Sequence, residues 1–410
     1  MAQSPDVRIV TETALSDYDT ALQSELSTTF GARAQTAVTF GDSLIEQGGE
    51  IPANPDTRAY SPWTWANMLL GQAFKILGNH GVGGETTTQI RARIGAVVAL
   101  NPGWVVLLCG TNNMGVAGGV DTAKADITAM IDTFTAAGVK VIIGTIPPRT
   151  GENYTGTIKA DTFALNLWIR QLPATTTAVV VDYFTAIADA AGNYRATAVG
   201  GNPSSDGIHL SAIGGYVLGA ALARTLRPIL PLAPVPYSEP SPGPNLVAVP
   251  RPGLYGAGAP PYNAFGGVGS AGVTWSEPLR PEGGAPWKQL VLPNASVLTM
   301  QCNATVDGAA LSVGDEVWAA VEYDLTTINA EGNGVAVHIK AWNGSTWTVL
   351  RTAFTDWGQP QVPRAGVIRV PECVVPAGAT VLAVFIELRG GMTFRFDRFG
   401  MYRSAAFPVP

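Results

Sequence analysis

The stretch VTFGDSLIEQGG, residues 38–49, changes character part-way along. An apolar, β-branched run stops at Gly41-Asp42-Ser43, and the chain then turns polar. Such a run reads as a buried strand. Ser43 is either a nucleophile held at the end of that strand or one more serine in a turn.

Outward from this stretch, strand and helix signals alternate. Strands are expected over Thr36–Gly41, Phe74–Gly78, Trp104–Cys109, Val139–Thr145 and Ala178–Asp182. A helix is expected from Ser61-Pro62, a capping residue followed by proline at the first helical position. Others are expected over roughly Thr86–Leu100, Asp121–Ala137, Lys159–Leu172 and Ser211–Leu226. Strands that alternate with helices in this way imply an α/β fold, a parallel sheet with helices on both faces.

The pattern breaks at residues 231–253, PLAPVPYSEPSPGPNLVAVPRPG, where the density of proline favours an extended linker or surface strap. Beyond it lie short alternating segments such as EVWAAVEYDL, GVAVHIKAW, ATVLAVFIEL and TFRFDRFGMY, with Asn343-Gly344 as a hairpin signal. This half is expected to be an antiparallel β-sandwich of jelly-roll type. The organisation expected is an N-terminal arm over 1–34 with a helix at Leu15–Leu26, an α/β domain over 35–230, the linker over 231–253, and the sandwich over 254–410.

The chain has 410 residues, enough for about two or three domains, and a net charge of −6. No Lys/Arg-rich run offers a phosphate-binding footprint, so a nucleic-acid partner is not expected. The longest apolar runs are strand-sized, far below the ~20 residues of a bilayer span. The N-terminus has no basic segment followed by an apolar one, so no secretory signal is expected. Cys109, Cys302 and Cys373 are too scattered for a disulfide framework or a metal set. Cys302 and Cys373 pair only if they sit on facing strands; buried free thiols are the reading favoured.

Only three histidines are present. His209, in SSDGIHLSAIGG, follows Asp206 by three positions. A carboxylate there can fix the imidazole tautomer, and the ring can act as base for a hydroxyl nucleophile. The same letters also suit a helix N-cap turn, with Asp206 or Ser211 capping. His80 reads as a loop histidine after the second strand, and His338 as a sheet-face residue. No two histidines have metal-ligand spacing, so neither a catalytic zinc nor another cofactor is expected. Gly267-Val268-Gly269-Ser270-Ala271-Gly272 fits a dinucleotide fingerprint by letters, but it neither follows a strand nor opens a helix, so it reads as loop.

Four stretches lie at or beyond the carboxyl ends of the expected strands, where open α/β sheets bind ligands. They are GDSL with Ser43, NHGVGGETT with Gly84, CGTNN with Asn112, and DGIHLS with Asp206 and His209. Together they resemble the SGNH (GDSL) hydrolase superfamily over roughly residues 35–228. The resemblance implies a flavodoxin-like three-layer α/β/α sandwich with five parallel strands, and a serine esterase. It implies Ser43 as nucleophile, His209 as general base and Asp206 as the residue that orients His209. It also implies an oxyanion hole of the Ser43 N–H, the Gly84 N–H (Gly83 is adjacent) and the Asn112 side chain. Asn113 departs from the aspartate that many members carry there.

The expected substrate is an O-acyl ester, O-acetyl on a glycan first. The polar insert Gly49–Tyr60 suits a hydrophilic substrate, and Trp275, Trp287, Trp318, Trp342, Trp347 and Trp357 in the second half offer stacking faces or core. A lipase- or thioesterase-like enzyme is an alternative. The combination also looks like bacteriophage tail modules, which implies a virion component with assembly partners or a homo-oligomer, acting at a bacterial surface; a cytoplasmic enzyme is the other setting. Deleting the chain after about residue 230 is expected to spare cleavage of small esters.

Overall fold

A computed structural model describes residues 35–151, 154–195, 201–230, 246, 273–280, 286–293, 297–306, 311–329, 334–354 and 357–404. The expected helix at Leu15–Leu26, the glycine run at 267–272 and all of the linker except Leu246 lie outside them.

The first part runs β1 (Thr36–Gly41), α1 (Ser43–Glu46), β2 (Gly49–Ile51), β3 (Asn54–Thr57), α2 (Pro62–Leu69), β4 (Lys75–Gly81), α3 (Thr87–Ala92), α4 (Ile94–Ala99), β5 (Trp104–Leu108), α5 (Gly119–Ala136), β6 (Lys140–Gly144), α6 (Gly156–Gln171), β7 (Val179–Val181), α7 (Tyr183–Ile187) and α8 (Ala212–Leu226). The second part runs β8 (Thr274–Ser276), β9 (Lys288–Leu292), β10 (Val297–Thr305), β11 (Glu316–Ile328), β12 (Gly334–Trp342), β13 (Trp347–Ala353), β14 (Arg364–Val374), β15 (Val381–Arg389) and β16 (Met392–Arg403).

Five strands form a parallel sheet in the order β4-β1-β5-β6-β7. β1 and β5 are buried along their whole length, as expected of strands covered on both faces. α5 buries one stripe, turning Ala123, Ile127, Met130, Ile131 and Phe134 inward at helical spacing. α2 begins where its sequence says, with Ser61 Oγ accepting the Trp63 N–H at 3.2 Å and Pro62 at the first position. The helix expected over Thr86–Leu100 is two helices, α3 and α4, broken at Arg93. The Arg93 side chain reaches back to Glu85 and to the His80 and Gly41 carbonyls, so this residue serves the sheet edge rather than a continuous helix. His80 lies in β4 opposite Phe40, not in a loop.

The strand order reverses at β1, because the chain runs outward from there to β4 on one side and to β5 on the other. Crevices at such reversals, beyond the carboxyl ends of the strands, are where open α/β sheets bind ligands.

The second part forms two sheets, β10-β15-β12-β13-β3-β2 and β14-β11-β16-β9-β8, antiparallel except at β13–β3. Alternate residues of β11, β12 and β15, among them Val321, Tyr323, Val337, Ile339, Val384 and Ile386, fill one core between them. The first of these sheets takes its last two strands from the α/β region. The polar insert after Ser43 is a β2–β3 hairpin. Its Thr57 pairs with Ala353, and its Asp56 carboxylate accepts the Thr352 N–H at 2.8 Å. The insert therefore belongs to the second sheet, and its polarity does not speak to the substrate. Trp65, Met68 and Ala59 extend the same core from the α/β side.

Cys109 and Cys373 are buried free thiols, so Cys373 makes no disulfide with Cys302. Among the described residues no helix is long and apolar enough to cross a membrane.

Candidate active site

β1 ends where it nearly touches its neighbour. A Cβ on Gly41 would lie 2.0 Å from the Leu108 carbonyl oxygen, so only glycine allows β1 and β5 this approach. Asp42 then caps α1, its Oδ1 accepting the Leu44 N–H at 3.0 Å, and Ser43 is the first helical residue. The Asp42 carboxyl is fully buried, and its second oxygen has no hydrogen-bond partner. Burial pushes it up to about 7, against the downward pull of the Leu44 N–H, Arg149 and His209.

His209 reaches Ser43 from the loop before α8, with Nε2 3.0 Å from Ser43 Oγ. Its Nδ1 lies 2.6 Å from Asp206 Oδ2. Asp206 Oδ1 accepts the N–H groups of Ile208 and His209 at 2.9 and 2.7 Å. Burial raises the Asp206 carboxyl, but the His209 backbone and ring, with the Ile208 N–H, outweigh it and bring it down to about 2. Asp206 is therefore charged across the neutral range. The helix-cap role falls to Ser211, whose Oγ accepts the Gly214 N–H at 3.2 Å, and this leaves Asp206 to His209. The loop is fastened by Ser204 Oγ, which donates to the His209 carbonyl at 2.7 Å, and by Tyr194 OH, which donates to the Ile208 carbonyl at 2.9 Å.

The glycine loop follows β4. A Cβ on Gly83 would lie 2.7 Å from Glu46 Oε2 and 3.9 Å from Ser43 Cβ, so Gly83 abuts the nucleophile candidate. Gly84 has φ +77°, a left-handed conformation that favours glycine, and the space about its Cα is open. Asn112 sits in a single 3₁₀ turn, Thr111–Asn113, after β5. Its Nδ2 gives one hydrogen to the Glu85 carbonyl at 3.0 Å, which ties the second and third loops together and leaves the other hydrogen. Ser43, Gly84, Asn112, Asp206 and His209 thus all stand beyond the carboxyl edge of one sheet.

Several polar residues that support this edge carry no motif. Asn113 accepts the Thr87 N–H through Oδ1 and donates through Nδ2 to Thr87 Oγ1, both at 3.0 Å. The Thr87 hydroxyl spends its own hydrogen on Asp126 at 2.9 Å. Position 113 must therefore supply a donor, which accounts for asparagine in place of aspartate. Arg93 pairs with Glu85 and stacks over the Phe40 ring at 5.2 Å. Arg149, from the loop after β6, donates to Thr111. Their signals are single arginines and asparagines, which carry no period. His80 is half-buried and held below the usual imidazole range by burial, then by the Arg93 charge. His338 lies far along the second part, its Nδ1 2.9 Å from Thr352 Oγ1 on the sheet face.

The tryptophans divide. Trp287 and Trp318 are buried, whereas Trp342, Trp347 and Trp357 are half-exposed. The side chain of Trp275 lies outside the description.

The Ser43 hydroxyl, the His209 ring and the charged Asp206 carboxylate stand in line, with neutral N–H groups beyond the same sheet edge, an arrangement suited to acyl transfer. No curated protein matches the chain. Among solved structures it is similar to a GDSL-like lipase from Bacteroides thetaiotaomicron, at 19% identity over 50% of this chain and 98% of that one, TM-score 0.36. It is similar to Axe2, an acetylxylan esterase from Geobacillus stearothermophilus, at 18% identity over 47% and 94%, TM-score 0.36. It is also similar to the acetyl xylan esterase AlAXEase, at 21% over 47% and 99%, TM-score 0.37. The model of the GDSL-like Lipase/Acylhydrolase family matches residues 39–215, which run from within β1 to within α8 and hold every residue of the site. Residues 39–215 thus form a domain that matches the GDSL-like lipase/acylhydrolase family.

Proposed function

We propose that the chain is a serine esterase that removes O-acyl groups, O-acetyl first, from carbohydrate. The observation that carries the chemistry is the 3.0 Å approach of His209 Nε2 to Ser43 Oγ, with Asp206 2.6 Å behind the ring. Ser43 Oγ attacks the ester carbonyl while His209 takes its proton. Charge that develops on the carbonyl oxygen is met by the N–H groups of Ser43 and Gly84 and by the free amide hydrogen of Asn112. His209 then returns the proton to the departing alkoxide, and an acyl-Ser43 intermediate remains. A water molecule, deprotonated by His209, attacks this acyl group. The carboxylic acid leaves and Ser43 recovers its hydrogen.

Support for a glycan substrate comes from the second part. Trp342 and Trp347 are register partners at one hairpin end, half-exposed, with ring centroids 5.4 Å apart. Exposed aromatic faces of this kind suit sugar rings. A panel tests the reading: p-nitrophenyl acetate, butyrate and octanoate, with acetate release from acetylated polysaccharides. Preference for acetyl and release from polymer are expected. Turnover that rises with acyl length and spares the polymers would favour a lipase-like enzyme instead.

A further inference from the structure

Arg149 and Thr150 are neighbours in sequence but hold two different loops of the site. The Arg149 guanidinium donates from Nη2 to the Thr111 carbonyl at 2.5 Å, and from Nε and Nη2 to Thr111 Oγ1 at 3.3 and 3.1 Å. The Thr150 N–H donates to the Gly207 carbonyl at 2.9 Å. Thr111 immediately precedes Asn112, and Gly207 immediately follows Asp206. One dipeptide therefore joins the asparagine loop to the histidine loop.

Thr111–Asn113 is one 3₁₀ turn, a short element with poor internal hydrogen-bond geometry. Its placement has to come from outside. Asn113 is fixed by Thr87 on one side, and Thr111 is gripped through both its carbonyl and its hydroxyl on the other. Asn112 hangs between the two clamps. A planar guanidinium fork can meet carbonyl and hydroxyl together, which an ammonium cannot do with the same geometry. Thr111 is buried, so the grip is shielded from competing water.

We propose that Arg149 is a positioning residue that sets the aim of the Asn112 amide at the developing oxyanion. The inference rests on the reading of Asn112 as an oxyanion donor. Preorganised donors act mainly on the transition state, so a slackened Asn112 lowers kcat and leaves KM nearly unchanged.

A double-mutant cycle on p-nitrophenyl acetate tests this, with the wild type, Arg149→Gln, Asn112→Ala and the double variant. Arg149→Gln is expected to lower kcat about 10–100-fold, the scale of a donor displaced by a fraction of an ångström to an ångström. In the Asn112→Ala background the same change is expected to cost less than about twofold, because its target is gone. An equal loss in both backgrounds overturns the proposal, since it would show damage unrelated to Asn112. A rise in KM with kcat intact also overturns it. Wild-type kcat in Asn112→Ala defeats the oxyanion reading itself, and the proposal falls with it. If Arg149→Gln does not fold, Arg149→Lys enters the same cycle and is read by the same outcomes.

Discussion

Thr57, eleven residues past the Asp42-Glu46 turn that carries Ser43, is paired with Ala353 of the second sheet, and its carbonyl accepts the Phe354 N–H at 2.9 Å. The α/β region and the β region are thus joined by strand pairing through the hairpin that follows the nucleophile candidate. Asn79 Nδ2 reinforces the link by donating to the Ile45 and Gly49 carbonyls at 2.9 and 2.8 Å.

Deleting the chain after residue 230 would strip this hairpin of its partner and expose Trp65 and Met68, both nearly inaccessible now. Loss of burial costs about 1.5–3 kcal/mol for each large apolar side chain. The fragment is expected to melt well below the whole chain and to lose activity on p-nitrophenyl acetate, contrary to the expectation from sequence. A fragment with full activity and an unchanged melting temperature would show that the junction is dispensable.

Asn113→Asp is expected to destabilise the fold by about 1–3 kcal/mol. The new carboxylate would be buried against Thr87 Oγ1, whose hydrogen is committed to Asp126. Chemical denaturation of the two proteins at neutral pH measures the difference. Equal midpoints and slopes would mean that the Thr87 hydroxyl turns to serve the new group.

Asp42 predicts a pH dependence of stability. Its folded-state carboxyl is raised to about 7 by burial, whereas an unfolded aspartate titrates near ~3.9. The folded state holds the extra proton between these values, so this group's contribution makes stability fall as pH rises through about 4 to 7 and then level off. Asp42→Asn keeps an oxygen for the Leu44 N–H and removes the titration. Between pH 5 and pH 8 the wild type is expected to lose about 2.5 kcal/mol relative to the variant. Parallel pH profiles would contradict the buried charge.

Asp206→Asn keeps an acceptor for the loop N–H groups and removes the charge behind His209. A neutral amide there favours the wrong imidazole tautomer, and kcat is expected to fall by on the order of 10²–10⁴ with KM little changed. His338→Ala, on the sheet face beside Thr352, is expected to leave kcat within about twofold. Steady-state kinetics on one small ester decides both, and equal effects of the two variants would deny Asp206 its orienting role.

Much of the α/β architecture was legible because its signals are local. Thr36–Gly41 and Trp104–Leu108 are unbroken apolar runs, and α2 opens on Ser61-Pro62. Ser43, Gly84 and Asn112 were legible as residues that end or follow strands of a single parallel sheet, and His209, beyond α7, through the family resemblance of its Asp-x-x-His stretch. The β2–β3 hairpin was not legible as part of the second sheet, because its partner on β13 lies 296 residues away at Asp56–Thr352 and no local period records such a pairing. The break at Arg93 was hidden for a similar reason: its partners Glu85, His80 and Gly41 are set by the sheet edge, not by helical spacing. Asn113 and Arg149 act through paired hydrogen bonds to Thr87 and Thr111, whose geometry residue type alone does not announce.

The central claim is that Ser43 is the nucleophile, and covalent labelling tests it most directly. The whole chain is treated with a fluorophosphonate ester, and the adduct is located by mass spectrometry of its peptides. A single adduct on Ser43, lost in Ser43→Ala together with esterase turnover and with an unchanged melting temperature, is the predicted result. Turnover that survives in Ser43→Ala, or an inactivating adduct on any other residue, would contradict it.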